Sequence, residues 1–204
     1  MRRWIVLSAL AAVLAIAVFG VVVAIGLGRA HTFAGVAAIP PSPAADFTLT
    51  DESGAAFTLS SLRGQWILLT YGYTSCPDLC PATLANLQQV KAELGPAGDR
   101  VRVIFSTVDP DRDTVDVLRT YVHHFGADFK GLTGSTAQVA QAAQAYGVSY
   151  QKSPSPGEVG YAVNHSAFVY LLDPQFRLRV TYPFGVASQE ITADLQYLMA
   201  QDKH

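Results

Sequence analysis

The chain has 204 residues, half of them hydrophobic and only 15% charged, with a formal net charge of −2. It contains 2 cysteines and 2 methionines, which excludes both a disulfide-dense scaffold and a methionine-rich metal carrier. The three arginines Arg2, Arg3 and Arg29 lie in a front segment with no acidic residue, so the remainder carries a formal −5 and disfavours nucleic acid as a partner.

The chain opens with an apolar run, Trp4 to Leu27, free of charged residues. A helix needs roughly 20 such residues to span a bilayer, so a transmembrane helix over about 4–27 is expected, within an anchor segment 1–30. Arg2 and Arg3 on one flank against Arg29 on the other place the N-terminus in the cytoplasm and the rest outside. A cleaved signal peptide is the alternative, with Gly28-Arg29-Ala30 and Val36-Ala37-Ala38 as candidate cleavage sites. Its apolar core would span only about 7–15 residues, and the uncleaved anchor is the reading taken. No cysteine closely follows the run, which excludes a lipid-modified cysteine anchor. Residues 31–45 are rich in Ala and Pro, uncharged and without a period, and read as a stiff tether. Residues 46–204 are then long enough for one folded domain.

Within that domain Phe47–Thr50 and Ala56–Leu59 are expected as short strands joined through Asp51-Glu52-Ser53-Gly54. Trp66–Tyr71 is a compact apolar run suited to a buried strand. After the loop 72–80, Pro81 fits a first helical turn, Leu84, Leu87, Val90 and Leu94 repeat at helical spacing, and Gly95-Pro96 stops the helix. Val101–Ser106 reads as the next strand. Helices follow over Val115–Phe125, ended by Gly126, and over Ser135–Tyr146, stopped by Gly147. Ala167–Leu172 and Leu178–Tyr182 form a hairpin around Asp173-Pro174-Gln175-Phe176, and Ser188 opens a last helix through Met199. This order predicts an α/β domain with a mixed sheet flanked by helices.

Cys76 and Cys80 are spaced C-x-x-x-C between a buried strand and a helix. Four residues of helix return to nearly the same face, so both sulfurs can converge on one metal ion; the same spacing also accommodates a disulfide. A helix N-terminus favours thiolate over thiol. The local chemistry is metal binding, dithiol redox, or both. An ordinary structural bridge between residues so close would constrain little unfolded-chain entropy. Thiolates suit Cu(I) and Zn(II), and with no second cysteine pair a four-ligand structural zinc site is disfavoured.

Among the histidines, His31 falls in the tether and His204 at the end, while His123 and His124 sit near a helix C-terminus as solvated surface. His165 lies at the mouth of the strand Ala167–Leu172. A histidine there is most often a satisfied turn or core residue. As a third ligand it would make a Cys2His set able to hold Cu(I) and also accept Cu(II).

The segment Gly72-Tyr73-Thr74-Ser75-Cys76-Pro77-Asp78-Leu79-Cys80-Pro81-Ala82-Thr83-Leu84 resembles the signature of the Sco/SenC family. So do Ser106-Thr107-Val108-Asp109-Pro110-Asp111-Arg112-Asp113-Thr114 and Asn164-His165-Ser166-Ala167-Phe168, with Phe47-Thr48-Leu49 and Gly131-Leu132-Thr133-Gly134 in register. The resemblance implies a thioredoxin-like fold in which Cys76, Cys80 and His165 bind copper. It also implies a copper chaperone, not an enzyme, that serves cytochrome c oxidase assembly at the dinuclear copper site of subunit II. Other copper carriers, and a thiol reductant such as a membrane thioredoxin-like protein, are implied as further partners. A thiol-disulfide reductase role using a Cys76–Cys80 disulfide is the alternative. Asp109 matches an acidic family position, read as lying near the metal or touching the partner. Asn164 departs from the Asp that family members commonly carry before the histidine, which replaces a carboxylate by a neutral hydrogen-bonding group.

Two rivals share the broad fold. A thioredoxin-like oxidoreductase normally carries C-x-x-C, and that role gives His165 no task. A peroxiredoxin normally has Thr or Ser three residues before its reactive cysteine, where this chain has Tyr73. With no Arg-rich presequence before the apolar run, the expected setting is a bacterial inner membrane with the domain in the periplasm.

Overall fold

The computed structural model describes Leu14, Ile16 and residues 31–154 and 160–202. It divides into two units, Met1–Thr32 and Phe33–His204. In the first, Leu14 and Ile16 are helical and exposed. The rest of the run expected to cross a membrane lies outside the described residues, among which no helix is long and apolar enough to do so.

The second unit is built on Trp66–Gly72 (β4), which is buried along its whole length. Such continuous burial requires cover on both faces and partners on both edges, and explains the unbroken apolar run. β4 pairs in parallel with Val101–Thr107 (β5) and antiparallel with Phe168–Leu172 (β9). On one side β9 continues to Arg177–Pro183 (β10) and then to Val36–Pro43 (β1). On the other side come Lys130–Thr133 (β6), Thr48–Asp51 (β2) and Ala56–Thr58 (β3), completing an eight-stranded mixed sheet in the order β1-β10-β9-β4-β5-β6-β2-β3. A separate two-stranded ribbon pairs Tyr150–Pro154 (β7) with Tyr161–His165 (β8).

Helix Leu79–Leu94 (α1) runs against Ser188–Gln201 (α4), Val115–Phe125 (α2) against β6, and Thr136–Ala145 (α3) against β2. Leu84, Leu87, Val90 and Leu94 form the buried face of α1, as their spacing predicts. Ser135 caps α3 reciprocally with Gln138, and Gly95, at φ 56°, ends α1 in a conformation that a side chain would strain.

The stretch expected to be a tether behaves differently. Val36–Pro43 is an edge strand on β10, with an irregular register between Ala37 and Ser42. Prolines lack the ladder donor and are confined to edges and bulges, so a proline-rich sequence hides a strand of this kind. The folded unit accordingly begins near Phe33, whose ring meets Tyr197 edge-on, and not at residue 46. At Gly35 a Cβ would sit 2.5 Å from the Thr181 carbonyl oxygen, so only glycine allows this approach.

The β9–β10 turn is organised by Asp173, which is 1% exposed. Its carboxylate accepts from the backbone N–H groups of Gln175 (3.1 Å) and Arg177 (2.9 Å), and from the guanidinium groups of Arg177 (2.9 Å) and Arg179 (3.2 Å). Asp173→Ala strips these donors of their shared acceptor beside Phe176, which adopts φ 63°. The variant is expected to lose about 3 kcal/mol of stability in urea denaturation. A loss below about 1 kcal/mol would show that the turn is set by its backbone alone.

Candidate metal centre

Three side chains from separate segments converge where β4 gives way to α1. The ligating atoms of Cys76, Cys80 and His165 all lie within 4.8 Å of one another. The sulfurs are unbridged and both cysteines are buried. Cys80 Sγ is 3.4 Å from His165 Nε2.

The two cysteines do not share a helical turn, as the spacing argument supposed. Cys80 is the second residue of α1, whereas Cys76 sits in the preceding loop, its N–H bonded to the Tyr73 carbonyl at 3.2 Å. The loop folds Cys76 back over the helix N-terminus. Asp78 precedes the helix but makes no side-chain cap bond; the backbone N–H groups of Asp78 and Cys80 turn to the Cys76 sulfur instead. The sulfur thus takes the anionic position that a helix N-terminus favours. Pro81, in the third helical position, gives up an N–H that has no partner within the helix.

Gly72, the last residue of β4, is required by the close approach of this helix. A Cβ there would lie 2.6 Å from Cys80 Sγ and 2.8 Å from the Phe105 ring. The Gly72 carbonyl accepts from Val108 N–H at 2.8 Å, joining the strand end to the loop after β5.

His165 ends β8, on the ribbon, and is not part of the strand that continues to Leu172. Its Nδ1 lies 3.0 Å from the Ser166 carbonyl oxygen, which can only accept. Nδ1 therefore carries a proton, and Nε2 is the ring nitrogen that faces the sulfurs. This is the arrangement that orients a histidine toward a metal. Tyr73, 4% exposed, packs edge-on against the imidazole with centroids 5.9 Å apart, and burial pushes its phenol up.

The residues expected near the metal fall in different places. Asp109 is 0% exposed, which removes it from any partner-contacting surface. It accepts from the Tyr161 hydroxyl at 2.6 Å and pairs with Arg112. Asn164 is exposed at the rim of the cleft formed by Tyr73, Cys76, Pro77, Leu79 and His165, its Nδ2 3.4 Å from the Ser153 hydroxyl. His123 and His124 are in the last turn of α2 and do not join the cluster of Cys76, Cys80 and His165. Sequence reasoning passed over Asp113, which is fully buried and accepts from the Thr74 hydroxyl (2.6 Å), the Thr74 N–H (3.1 Å) and the Thr107 hydroxyl (2.5 Å). It also passed over Tyr161. The even spacing of Tyr161, Val163 and His165 was the available signal, since alternate strand residues share a face.

The two thiols are driven apart in acidity. The Cys80 S–H donates to the Cys76 sulfur; with the His165 side chain and the two backbone N–H groups it outweighs burial and holds Cys76 down to about 3. Cys80, as that donor and as a buried group beside an anion, is pushed far above the ordinary thiol range. The reduced pair is therefore one thiolate and one thiol at neutral pH. Because the Cys76 value is depressed, its contribution to stability is complete above the ordinary thiol value of about 8.5 and is lost as pH falls toward about 3. The stability difference between the reduced protein and Cys76→Ser should shrink over that window. Iodoacetamide should label Cys76 at a nearly constant rate from about pH 5 to 8, with Cys80 unlabelled, as followed by mass spectrometry. A labelling rate at Cys76 that climbs tenfold per pH unit across that range would mark an ordinary thiol.

The SCO1/SenC family model matches residues 39–200. Over 157 residues the chain is 40% identical to the mitochondrial SCO2 homolog of Homo sapiens, covering 76% of this chain and 59% of that protein's length. Its fold matches the solution structure of apo Sco1 from Thermus thermophilus, 40% identical, with a TM-score of 0.74 over 84% of this chain and 99% of the other. It also matches the crystal structure of Arabidopsis thaliana ScoI with copper bound, 31% identical, with a TM-score of 0.74 over 78% of this chain and 99% of that one. The mixed sheet and its helices are thus the thioredoxin-like fold of Sco structures, and the chain belongs to the SCO1/SenC family.

Proposed function

We propose that this chain binds copper through Cys76, Cys80 and His165 and hands it to the dinuclear copper site of cytochrome c oxidase subunit II. The observation that carries the reading is the convergence of two sulfurs and one imidazole nitrogen within 4.8 Å. Two thiolates suit Cu(I), and the imidazole extends the set to Cu(II). Among the described residues no further His, Cys, Asp or Glu joins this cluster, which leaves a position for an incoming ligand from a partner. The Arabidopsis relative of similar fold has copper bound, which supports copper as the metal.

Copper is cargo here, and the chemistry is ligand exchange. Binding takes the proton from Cys80, so uptake releases protons and weakens in acid. A recipient with better-placed thiolates then draws the metal off by differential affinity. Oxidation to a Cys76–Cys80 disulfide removes both thiolates and ends binding, and in an oxidising compartment a thiol reductant must restore the pair. The apolar run 4–27 is assigned as an uncleaved anchor in a bacterial inner membrane, leaving residues 33–204 in the periplasm. Other copper carriers are assigned as the source of the metal.

A second reading rests on the unequal thiols. The Cys76 thiolate can attack a partner disulfide, and Cys80, once deprotonated, resolves the mixed disulfide. The partner leaves with two thiols and this chain keeps the disulfide, to be reduced by an external dithiol.

Titrating the reduced full-length protein in detergent with copper separates these readings. About one copper per chain is expected, with a thiolate-to-Cu(II) charge-transfer band that Cys76→Ser or Cys80→Ser abolishes. His165→Ala should weaken Cu(II) by at least about tenfold, since even the loss of an outer partner of a ligand costs that much. A protein that takes up no copper yet cycles its cysteines against a disulfide-bonded partner belongs to the second reading.

A further inference from the structure

The ribbon that carries His165 is not part of the eight-stranded sheet: among the described residues β8 pairs only with β7. The distance between the imidazole and the sulfurs therefore depends on how the ribbon docks; Val163 is buried in the core and its backbone N–H meets the Tyr73 hydroxyl, and the polar contacts with the loop after β5 centre on Tyr161. Tyr161 lies four positions before His165 on the same face of β8, with buried Val163 between them. Its hydroxyl donates to Asp109 Oδ1 at 2.6 Å, and its backbone carbonyl accepts from Arg112 Nη1 at 2.9 Å. The Arg112 guanidinium stands 4.0 Å and the Lys152 ammonium 4.5 Å from the Tyr161 ring centroid. Lys152, on β7, also reaches Asp111 at 2.6 Å and Asp109 at 3.5 Å.

The receiving loop is itself fixed to the thiols. The Asp109 N–H donates to the Thr107 hydroxyl (2.8 Å), which donates to Asp113, which accepts from Thr74 two residues before Cys76. One chain of bonds thus runs from the thiol loop, through Asp113, Thr107 and Asp109, to the hydroxyl of Tyr161.

We propose that Tyr161 is a positioning residue whose hydroxyl, bonded to Asp109, latches the β7–β8 ribbon and so holds His165 over the thiol pair as a copper ligand. This rests on the copper reading above. Tyr161→Phe keeps the ring and its stacked cations and removes only the latch.

The test uses the full-length protein and two readouts. In the copper-free reduced state, the backbone amides of Tyr161–His165 should exchange with deuterium about tenfold faster in the variant, while β4 amides stay unchanged. In the copper-loaded state, Cu(II) affinity should fall by about tenfold and the charge-transfer spectrum should move toward that of His165→Ala. Cu(I), held by the thiolates, should change by less than about threefold. Tyr170→Phe, which loses a buried hydroxyl bond to the Tyr146 carbonyl (2.9 Å) elsewhere, should leave both readouts at wild type. A Tyr161→Phe protein with wild-type Cu(II) affinity and spectrum overturns the proposal, whether or not the ribbon exchanges faster. If the wild-type protein takes up no copper, the reading of the site fails on its own, and exchange of the β8 amides alone decides the latch.

Discussion

Two buried carboxylates hold the region together. Asp109 and Asp113 follow β5 within one tight loop, and both are 0% exposed. A buried anion is costly unless its lone pairs are filled, and here the donors come from different segments. Asp113 draws on Thr74 and Thr107, while Asp109 draws on Arg112 and Tyr161. Satisfying the two charges forces the thiol loop, the strand end and the ribbon to meet at one place. Deleting either carboxylate would leave the segments without the reason for their approach.

The same burial shapes the electrostatics. Desolvation pushes Asp113 up even though three hydrogen bonds oppose it, and its charge is among the influences that raise Cys80. Cys76, by contrast, is stabilised as an anion by the Cys80 S–H and by the N–H groups that begin α1. The loop before α1 and the first turn of α1 therefore supply the members of an unequal pair: a thiolate lodged against the helix amides and a thiol within that turn. The pair can accept a soft cation only by giving up a proton, which couples loading to pH through Cys80 and not Cys76.

Much of the main sheet was legible in the sequence because its strands are covered on both faces. Trp66–Gly72 and Val101–Thr107 announce themselves as apolar runs, and Leu84, Leu87, Val90 and Leu94 as a helical face. The segments that escaped notice lack those signals for separate reasons. β1 carries prolines that only an edge accepts. β6 is four residues long, and its Gly131 is there because a Cβ would crowd Leu118 of α2 at 3.1 Å. β7, read as Tyr-Gln-Lys-Ser-Pro, has no apolar face because it is the outer strand of the ribbon, with only Tyr150 packed against the core while β8 buries Val163. At the site, the cysteines were visible from their spacing, but 85 residues separate Cys80 from His165. No local pattern reports such a convergence; the shared face of Tyr161, Val163 and His165 becomes meaningful only once Asp109 is seen beneath it.

The division of the three donors between two kinds of support bears on what the site can do. The sulfurs are fixed by the most buried part of the molecule, where Gly72 leaves no slack between β4 and α1 and Phe105 closes the other side. The imidazole is fixed by a two-stranded ribbon, a unit that has little independent stability and depends on its docking contacts. In the proposed ligand set, the thiolates would then supply the constant part of the affinity and the histidine the variable part. A partner that displaced the ribbon, or competed for the place of Nε2, would weaken the site without disturbing the core. Thioredoxin-like chemistry needs only the dithiol; placing a histidine on a separately latched strand adds a ligand whose engagement can be changed at the cost of a few polar contacts. That arrangement favours a protein that must release what it binds over one that stores it.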